Sequence, residues 1–348
     1  MVSLLIATGV VRATGLPWLS AGPGPAAVLA AVKPSSPTST PSADPTAAAT
    51  PAATLAATPA VTPTPEPTVI PAPDPTSLVW LPSGSGKVTV VNMPAPWIGG
   101  SKNTADVSIY TPAGYDPNGN QLYPVIYEAP TGLALWDGET GAIAELNSLI
   151  GSGKIPAAIV VFIDESGAPM MPTECIDSYN KQQWLETFIS QTVVDYVDLN
   201  YRTISDPKAR TIMGLSEGGF CAAMLALRHP DIYNVDISFS GYYWAATPAP
   251  DSAVPFGGQD SLIDAYSPAL LAPQIAAADR SSLYFILVSQ ASQAYFGPQL
   301  TGFEKILDAD GYGYVATNSK YPHGWPQVAN EIAGALHSWA AHLMLSGV

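Results

Sequence analysis

The sequence predicts an α/β protein over residues 77–348, with a mostly parallel central sheet and helices on both faces. Three observations lead there. Short, continuous apolar runs such as "YPVIYEAP" and "AAIVVFID" suit strands buried on both faces. Segments with helical apolar spacing alternate with them. Finally, "RTIMGLSEGG" passes from a strand pattern into a helix pattern across a cluster of small residues.

Taken in order, "GKVTVVNMP" and "TADVSIYTPAGYDP" alternate with period two and read as strands, the second closed by Pro-Ala-Gly-Tyr-Asp-Pro turn chemistry. The buried strands "YPVIYEAP" and "AAIVVFID" follow, separated by the helix "GETGAIAELNSLIGSG" with glycine stops. "SYNKQQWLETFISQTVVDYVDLNY" sets Trp184, Phe188, Ile189, Val193 and Val197 along one helical face. After the strand "RTIMGL" and the helix ending near His229 come the strands "VDISFSGYYW" and "SLYFILVSQ". A helix around "TGFEKILDADG", a strand "GYVATNS" and the amphipathic helix "QVANEIAGALHSWAAHLML" complete the domain.

The chain upstream is of another kind. Residues 33–76 are almost entirely Pro, Thr, Ala and Ser, too few apolar side chains to offset ordering entropy, so an extended linker is expected. Residues 1–32 combine an apolar run, "SLLIATGVV", with a small-residue stretch, "AAVLAAV", but lack a basic start. They read as a degenerate signal peptide or a membrane anchor, and hence as export. A formal charge of −15 repels phosphate backbones and anionic lipid, which argues against nucleic acid and for neutral or amphiphilic partners. The only two cysteines are Cys175, in a loop, and Cys221, on the helix after Ser216. In an exported chain they are candidates for a disulfide pinning that loop to that helix; two buried free thiols are the alternative.

Ser216 is the pivot. A serine at a sharp strand-to-helix turn needs near-bare neighbours two residues before and after it, and Gly214-Leu215-Ser216-Glu217-Gly218 supplies them. As a nucleophile it requires a base, a group orienting that base, and donors for the oxyanion. Of the four histidines, His229 ends a helix, and His337 and His342 lie on the last amphipathic helix. Only His323, in "SKYPHGWPQV", follows a terminal strand, at the sheet edge where sites assemble. The backbone N–H of Glu217, next after the nucleophile, is the first expected oxyanion donor. Nothing resembles a phosphate loop, a dinucleotide fingerprint or a metal-ligand spacing, so no cofactor is expected.

From about Val88 onward the chain resembles the putative-esterase family of α/β-hydrolases, which includes feruloyl esterases, S-formylglutathione hydrolases and mycobacterial mycolyltransferases. The resemblance rests on "VSIYTPAGYDP", "YPVIYEAPTGL", "DLNYRTISDPKARTIMGLSEGG", "LALRHPDIY" and "HGW", in that order. It implies the α/β-hydrolase fold, Ser216 as nucleophile, His323 as base and Trp325 as the family's aromatic. It also implies Leu133 of "TGL" as the second oxyanion amide, and it favours the Cys175–Cys221 pairing, as in exported actinobacterial members.

The family's acid normally follows the strand matching "SLYFILVSQ", yet "SQASQAYFGPQLTG" has no carboxylate. Gln290 or Gln293 stands near the expected place. Glu304 is the first acid downstream and is the candidate third member, with Asp251 or Asp260 as substitutes and a weak or dead enzyme as the remaining alternative. The Pro-, Gly- and Asp-rich stretch 245–265 is expected to cap the pocket, and Trp136, Tyr242 and Trp325 to line it.

The expected function is that of an exported serine esterase or acyltransferase acting on a small-molecule, glycolipid or polysaccharide ester, with the cell envelope as a setting. The rival is a non-catalytic family member that binds carbohydrate or an envelope partner. A cytosolic formylglutathione-type thioesterase is a third reading, which the Pro/Thr linker disfavours.

Overall fold

In the computed structural model, residues 78–80, 84–95, 104–165, 172–245 and 251–348 are described. The expected leader at 1–32 and linker at 33–76 lie outside them. Eight strands form one sheet: β1 (Lys87–Pro94), β2 (Thr104–Thr111), β3 (Val125–Glu128), β4 (Ile159–Asp164), β5 (Arg210–Leu215), β6 (Val235–Phe239), β7 (Tyr284–Ser289) and β8 (Gly313–Asn318). Their spatial order is β1-β2-β4-β3-β5-β6-β7-β8. The β1/β2 and β2/β4 pairs are antiparallel, and all the others are parallel. This is the α/β-hydrolase fold expected above.

Strand composition follows position in the sheet. Central β3, β5 and β6 are buried at every residue, which their unbroken apolar runs anticipate. At the two edges β1 and β8 remain largely uncovered.

The helices are α1 (Gly132–Thr140), α2 (Ala142–Gly151), α3 (Leu185–Thr187), α4 (Val194–Asn200), α5 (Glu217–Arg228), α6 (Asp260–Tyr266), α7 (Pro268–Leu271), α8 (Ala277–Arg280), α9 (Phe296–Asp310) and α10 (Trp325–Ser346). Where one helix was expected from Gly138 to Gly153, there are two, divided at Gly141, whose left-handed φ of 67° ends α1. A π-helical turn over Phe188–Val193 joins α3 to α4. The first turn of α5 carries two glycines, and the helix is buried from Gly218 to Leu227, which its small residues permit between sheet and neighbouring helices. On α10, buried Trp339 donates from Nε1 to Thr211 Oγ1 of β5 at 2.8 Å. Among the described residues, no helix is long and apolar enough to cross a membrane.

One ionic cluster fastens α3, the end of α5 and α6 together. Glu186 accepts from Arg228 Nε (2.6 Å) and Nη2 (3.2 Å) and from Tyr266 OH (2.7 Å), and its Oε1 lies 2.8 Å from His229 Nε2. Burial opposes its charge, but the bonds from His229 and Arg228 outweigh that and hold the carboxyl down at about 2. A carboxyl lowered from 4.5 contributes stability that is complete above its unfolded value and is lost as pH falls toward 2. That contribution is about 3 kcal/mol. Denaturant unfolding of wild type and Glu186→Gln between pH 7 and 2 is expected to show a gap that closes as acid is added. Parallel curves would refute the assignment.

Candidate active site

Ser216 stands between β5 and α5 with φ 62° and ψ −112°. This is strained for a residue bearing a side chain, and it lifts Oγ off the sheet. Its N–H donates to Phe239 O (2.8 Å) and its carbonyl accepts from Phe220 N (3.0 Å), so both neighbouring strand and helix hold the turn. The glycines make it feasible. A Cβ on Gly218 would sit 2.5 Å from Ala129 O, and one on Gly219 would sit 2.8 Å from Gly241 Cα.

The two expected oxyanion donors occupy helix N-termini, where N–H groups have no partner within the helix. Glu217 opens α5, and Leu133 is the second residue of α1, on the adjacent strand pair β3/β5. The entry to α1 is held by buried Glu128, which accepts from Thr131 Oγ1 (2.8 Å), Thr131 N (3.4 Å) and Gly132 N (3.1 Å). Burial still pushes the Glu128 carboxyl up to about 8, against those donors.

His323 lies between β8 and α10, at the same carboxyl edge of the sheet. Its backbone N–H donates to Gln293 Oε1 (3.0 Å), and its ring stacks on Phe296 at 4.3 Å. Nε2 is buried with no hydrogen-bond partner among the described residues, so it makes no bond to Ser216 Oγ in this structure. Burial lowers the ring's pKa below its ordinary 6.5. Aromatic edges connect the two residues indirectly: Trp325 packs on Trp136 (5.6 Å) and Trp136 on Phe239 (6.2 Å), whose carbonyl takes the Ser216 N–H.

No carboxylate is hydrogen-bonded or ion-paired to His323 among the described residues. Glu304 belongs to α9, where burial and the charge of Asp308 raise its pKa, and its carboxylate does not meet the imidazole. Asp251 and Asp260 are exposed and likewise unconnected to it. The amides standing near the acid's expected place bind backbone instead: Gln293 takes the His323 N–H, and Gln290 donates to Lys320 O (3.3 Å). Two of the three expected pocket aromatics are also covered. Trp136 is 0% and Tyr242 4% exposed, their polar atoms satisfied by Thr131 Oγ1 (2.9 Å) and Glu174 Oε2 (2.7 Å). Trp325 alone is partly exposed.

Behind the elbow, a disulfide joins Cys175 to Cys221, with Cα atoms 5.7 Å apart. The same loop is bound a second time, because Glu217 Oε1 accepts from Thr173 N (2.8 Å), Thr173 Oγ1 (3.1 Å) and Glu174 N (2.7 Å). Residues 217 and 221 are one helical turn apart, so both fasteners act on one face of α5. Sequence reasoning used Glu217 only for its amide and passed over Glu128, Glu165 and Glu174. All three are buried, and burial raises each of them.

A separate cleft of about 520 Å3 lies beside Lys87, Thr111, Tyr115, Tyr196 and Tyr201. Tyr110 pairs with Val160 near the start of β4, so this cleft is at the sheet edge opposite Ser216 and is not part of the site.

Fold and elbow together define an esterase-type α/β-hydrolase. The model of the putative-esterase family matches residues 101–289, more than half of the chain, and the chain belongs to that family. The match ends before His323. Among solved structures, the chain resembles a ferulic acid esterase (18% identity, TM-score 0.62, covering 74% of this chain and 100% of that one). It also resembles an S-formylglutathione hydrolase from Agrobacterium tumefaciens (16%, TM-score 0.58, 74% and 96%). A third is MPT51 (FbpC1) of Mycobacterium tuberculosis (16%, TM-score 0.56, 74% and 99%). At these identities the likeness is one of fold. An uncharacterised protein of Corynebacterium glutamicum is 28% identical over 170 residues, which are 47% of this chain and 39% of that protein's length.

The cross-link closes a loop with a sequence separation of 46. In the chain-entropy account, such a loop contributes about 4 kcal/mol by restricting the unfolded chain. Paired Cys175→Ser and Cys221→Ser substitution is expected to lower unfolding stability by that order. A loss below about 1 kcal/mol, well under the range for a native disulfide, would contradict it.

Proposed function

We propose that the chain is an exported serine carboxylic-ester hydrolase or acyltransferase that works through an acyl-enzyme on Ser216. The observation that carries this reading is the positive-φ serine at the strand-to-helix pivot, a strained geometry that presents Oγ at the carboxyl edge of the sheet. Ser216 Oγ attacks the ester carbonyl as its proton passes to His323 Nε2. The amides of Glu217 and Leu133 receive the oxyanion. Collapse expels the alcohol, which takes the proton from His323, and water or a sugar hydroxyl then attacks the acyl-enzyme by the same steps in reverse.

Export is supported by the disulfide, the Pro/Thr-rich segment and the apolar start of the sequence. The strongly negative chain favours neutral ester substrates, small molecules or glycolipid and polysaccharide esters, consistent with an envelope setting.

One observation favours the second reading, a non-catalytic family member: among the described residues no carboxylate is hydrogen-bonded or ion-paired to His323. In the serine-protease triad, exchanging the acid for an amide lowers kcat by about 10^4. The two readings separate in one experiment on the full chain. Hydrolysis of short- and long-chain p-nitrophenyl esters, together with labelling by a fluorophosphonate, is expected for wild type and absent for Ser216→Ala. Glu304→Gln is expected to retain wild-type turnover, and a fall of about 10^4 would restore it as the triad acid. Wild type matching Ser216→Ala on both esters and failing to label would establish the binding protein instead.

The base must be neutral to accept a proton, and burial lowers the His323 pKa. The acid limb of the kcat/KM profile is therefore expected to have its midpoint below pH 6.5. A midpoint above that value would show that an undetected anion faces the ring.

A further inference from the structure

Thr173 places a single hydroxyl among three polar neighbours. Cys175 N donates to its Oγ1 (3.2 Å), while Glu165 Oε2 lies 2.8 Å and Glu217 Oε1 3.1 Å away. A hydroxyl offers one proton and two lone pairs. The Cys175 N–H fills one lone pair, and the hydroxyl proton goes to Glu217 Oε1, whose backbone donors, Glu174 N and Thr173 N, oppose the burial that raises this carboxyl as well. The remaining lone pair then faces Glu165 Oε2, and this contact is a bond only if Glu165 brings a proton.

Its surroundings agree. Glu165 is 1% exposed, and among the described residues its Oε1 is buried without a hydrogen-bond partner and the groups acting on it are the acids Glu217, Glu128 and Asp164. A lone carbonyl oxygen is far less costly to bury than an unpaired carboxylate. Desolvation accordingly drives this carboxyl well above the usual range.

Glu165 also reaches the other half of the site. Its backbone N–H donates to Pro130 O (3.1 Å), three residues before Leu133. We propose that Glu165, as a neutral carboxylic acid, positions both oxyanion amides: its proton goes to Thr173 Oγ1, the Thr173 proton to Glu217 Oε1, and its own amide holds Pro130. Glu165 is a positioning residue, since it acts through Thr173 and Glu217 and touches no reacting atom. The inference rests on the serine-esterase reading and names the device that aims its oxyanion hole.

The test uses the full chain. Glu165→Met and Thr173→Val each break the relay, and each is expected to lower kcat on a p-nitrophenyl ester about 10- to 100-fold with KM little changed, the scale of a misplaced catalytic group. Glu165→Gln, whose amide can donate to Thr173 in place of the acid proton, is expected to recover most of what Glu165→Met loses. An infrared difference spectrum of wild type against Glu165→Gln at pH 7 is expected to contain the carbonyl band of a protonated carboxylic acid, a readout that needs no turnover. Should Glu165→Met fail to fold, Thr173→Val and the infrared band carry the test.

Absence of the band, or a Glu165→Gln variant as slow as Glu165→Met, overturns the assignment while an active parent keeps the esterase reading intact. Equal kcat in wild type, Thr173→Val and Glu165→Met overturns it in the same way. A band in a parent that turns over no ester and takes no fluorophosphonate overturns the esterase reading, and the oxyanion role with it.

Discussion

The first turn of α5 is pressed against backbone rather than side chains, and the site depends on that contact. Gly218 faces the carbonyl of Ala129 at the end of β3, and Gly219 faces Gly241 beyond β6. Side chains at either position would drive the helix away from both strands, and Ser216 could not hold φ 62° while donating to Phe239 O. Backbone contacts of this kind do not adjust by rotamer change. They fix the distance between the strand that carries Ser216 and the loops on either side, which is the dimension the proposed acyl-transfer site must hold.

Close backbone packing creates a second requirement. Where Ala129–Gly132 and residues 172–175 converge on α5, many N–H groups are withdrawn from water and need acceptors. Glutamate side chains supply them: Glu128 on the α1 side and Glu217 on the disulfide side. The loop they secure is itself strained, with Glu174 and Cys175 at φ 52° and 50°. Such a conformation persists only when its surroundings over-determine it. The cross-link at Cys221 and the three bonds to Glu217 do so together, so the polar core behind the serine and the disulfide serve one purpose.

Much of the scaffold was legible because its causes are local. Continuous apolar runs marked the buried parallel strands, and Gly214-Leu215-Ser216-Glu217-Gly218 marked the elbow. The disulfide was legible as a candidate, conditional on export and favoured by the family resemblance, with two free thiols as the alternative. Other features depend on what the chain meets in space. The division between α1 and α2 turns on the left-handed backbone of Gly141, and Trp136 is fully buried with its Nε1 on Thr131 Oγ1. Glu304 is half-buried on the face of α9 that carries Leu300 and Leu307, and what its carboxyl meets there depends on how that helix packs.

The glutamate side chains behind the serine are the instructive omission, because a signal for them existed. Glu128 closes β3, Glu165 follows the last residue of β4, and Glu217 follows β5 by two. These three strands are neighbours in the sheet, so their acids meet at one edge. In the sequence each reads as an ordinary charged residue that ends an apolar run. Their common position at strand ends, beside Ser216, is what distinguishes them. An acid so placed has two ways to avoid an unpaired buried charge: it can collect backbone donors, or it can keep its proton. Glu217 collects three donors. Glu165 has one neighbouring hydroxyl and a vacant second oxygen, which leaves it the proton. On the proposed assignment the same chemistry that makes an acidic residue costly at that depth leaves two adjacent glutamates in opposite forms, and the difference between them carries a directed hydrogen bond across the back of the site.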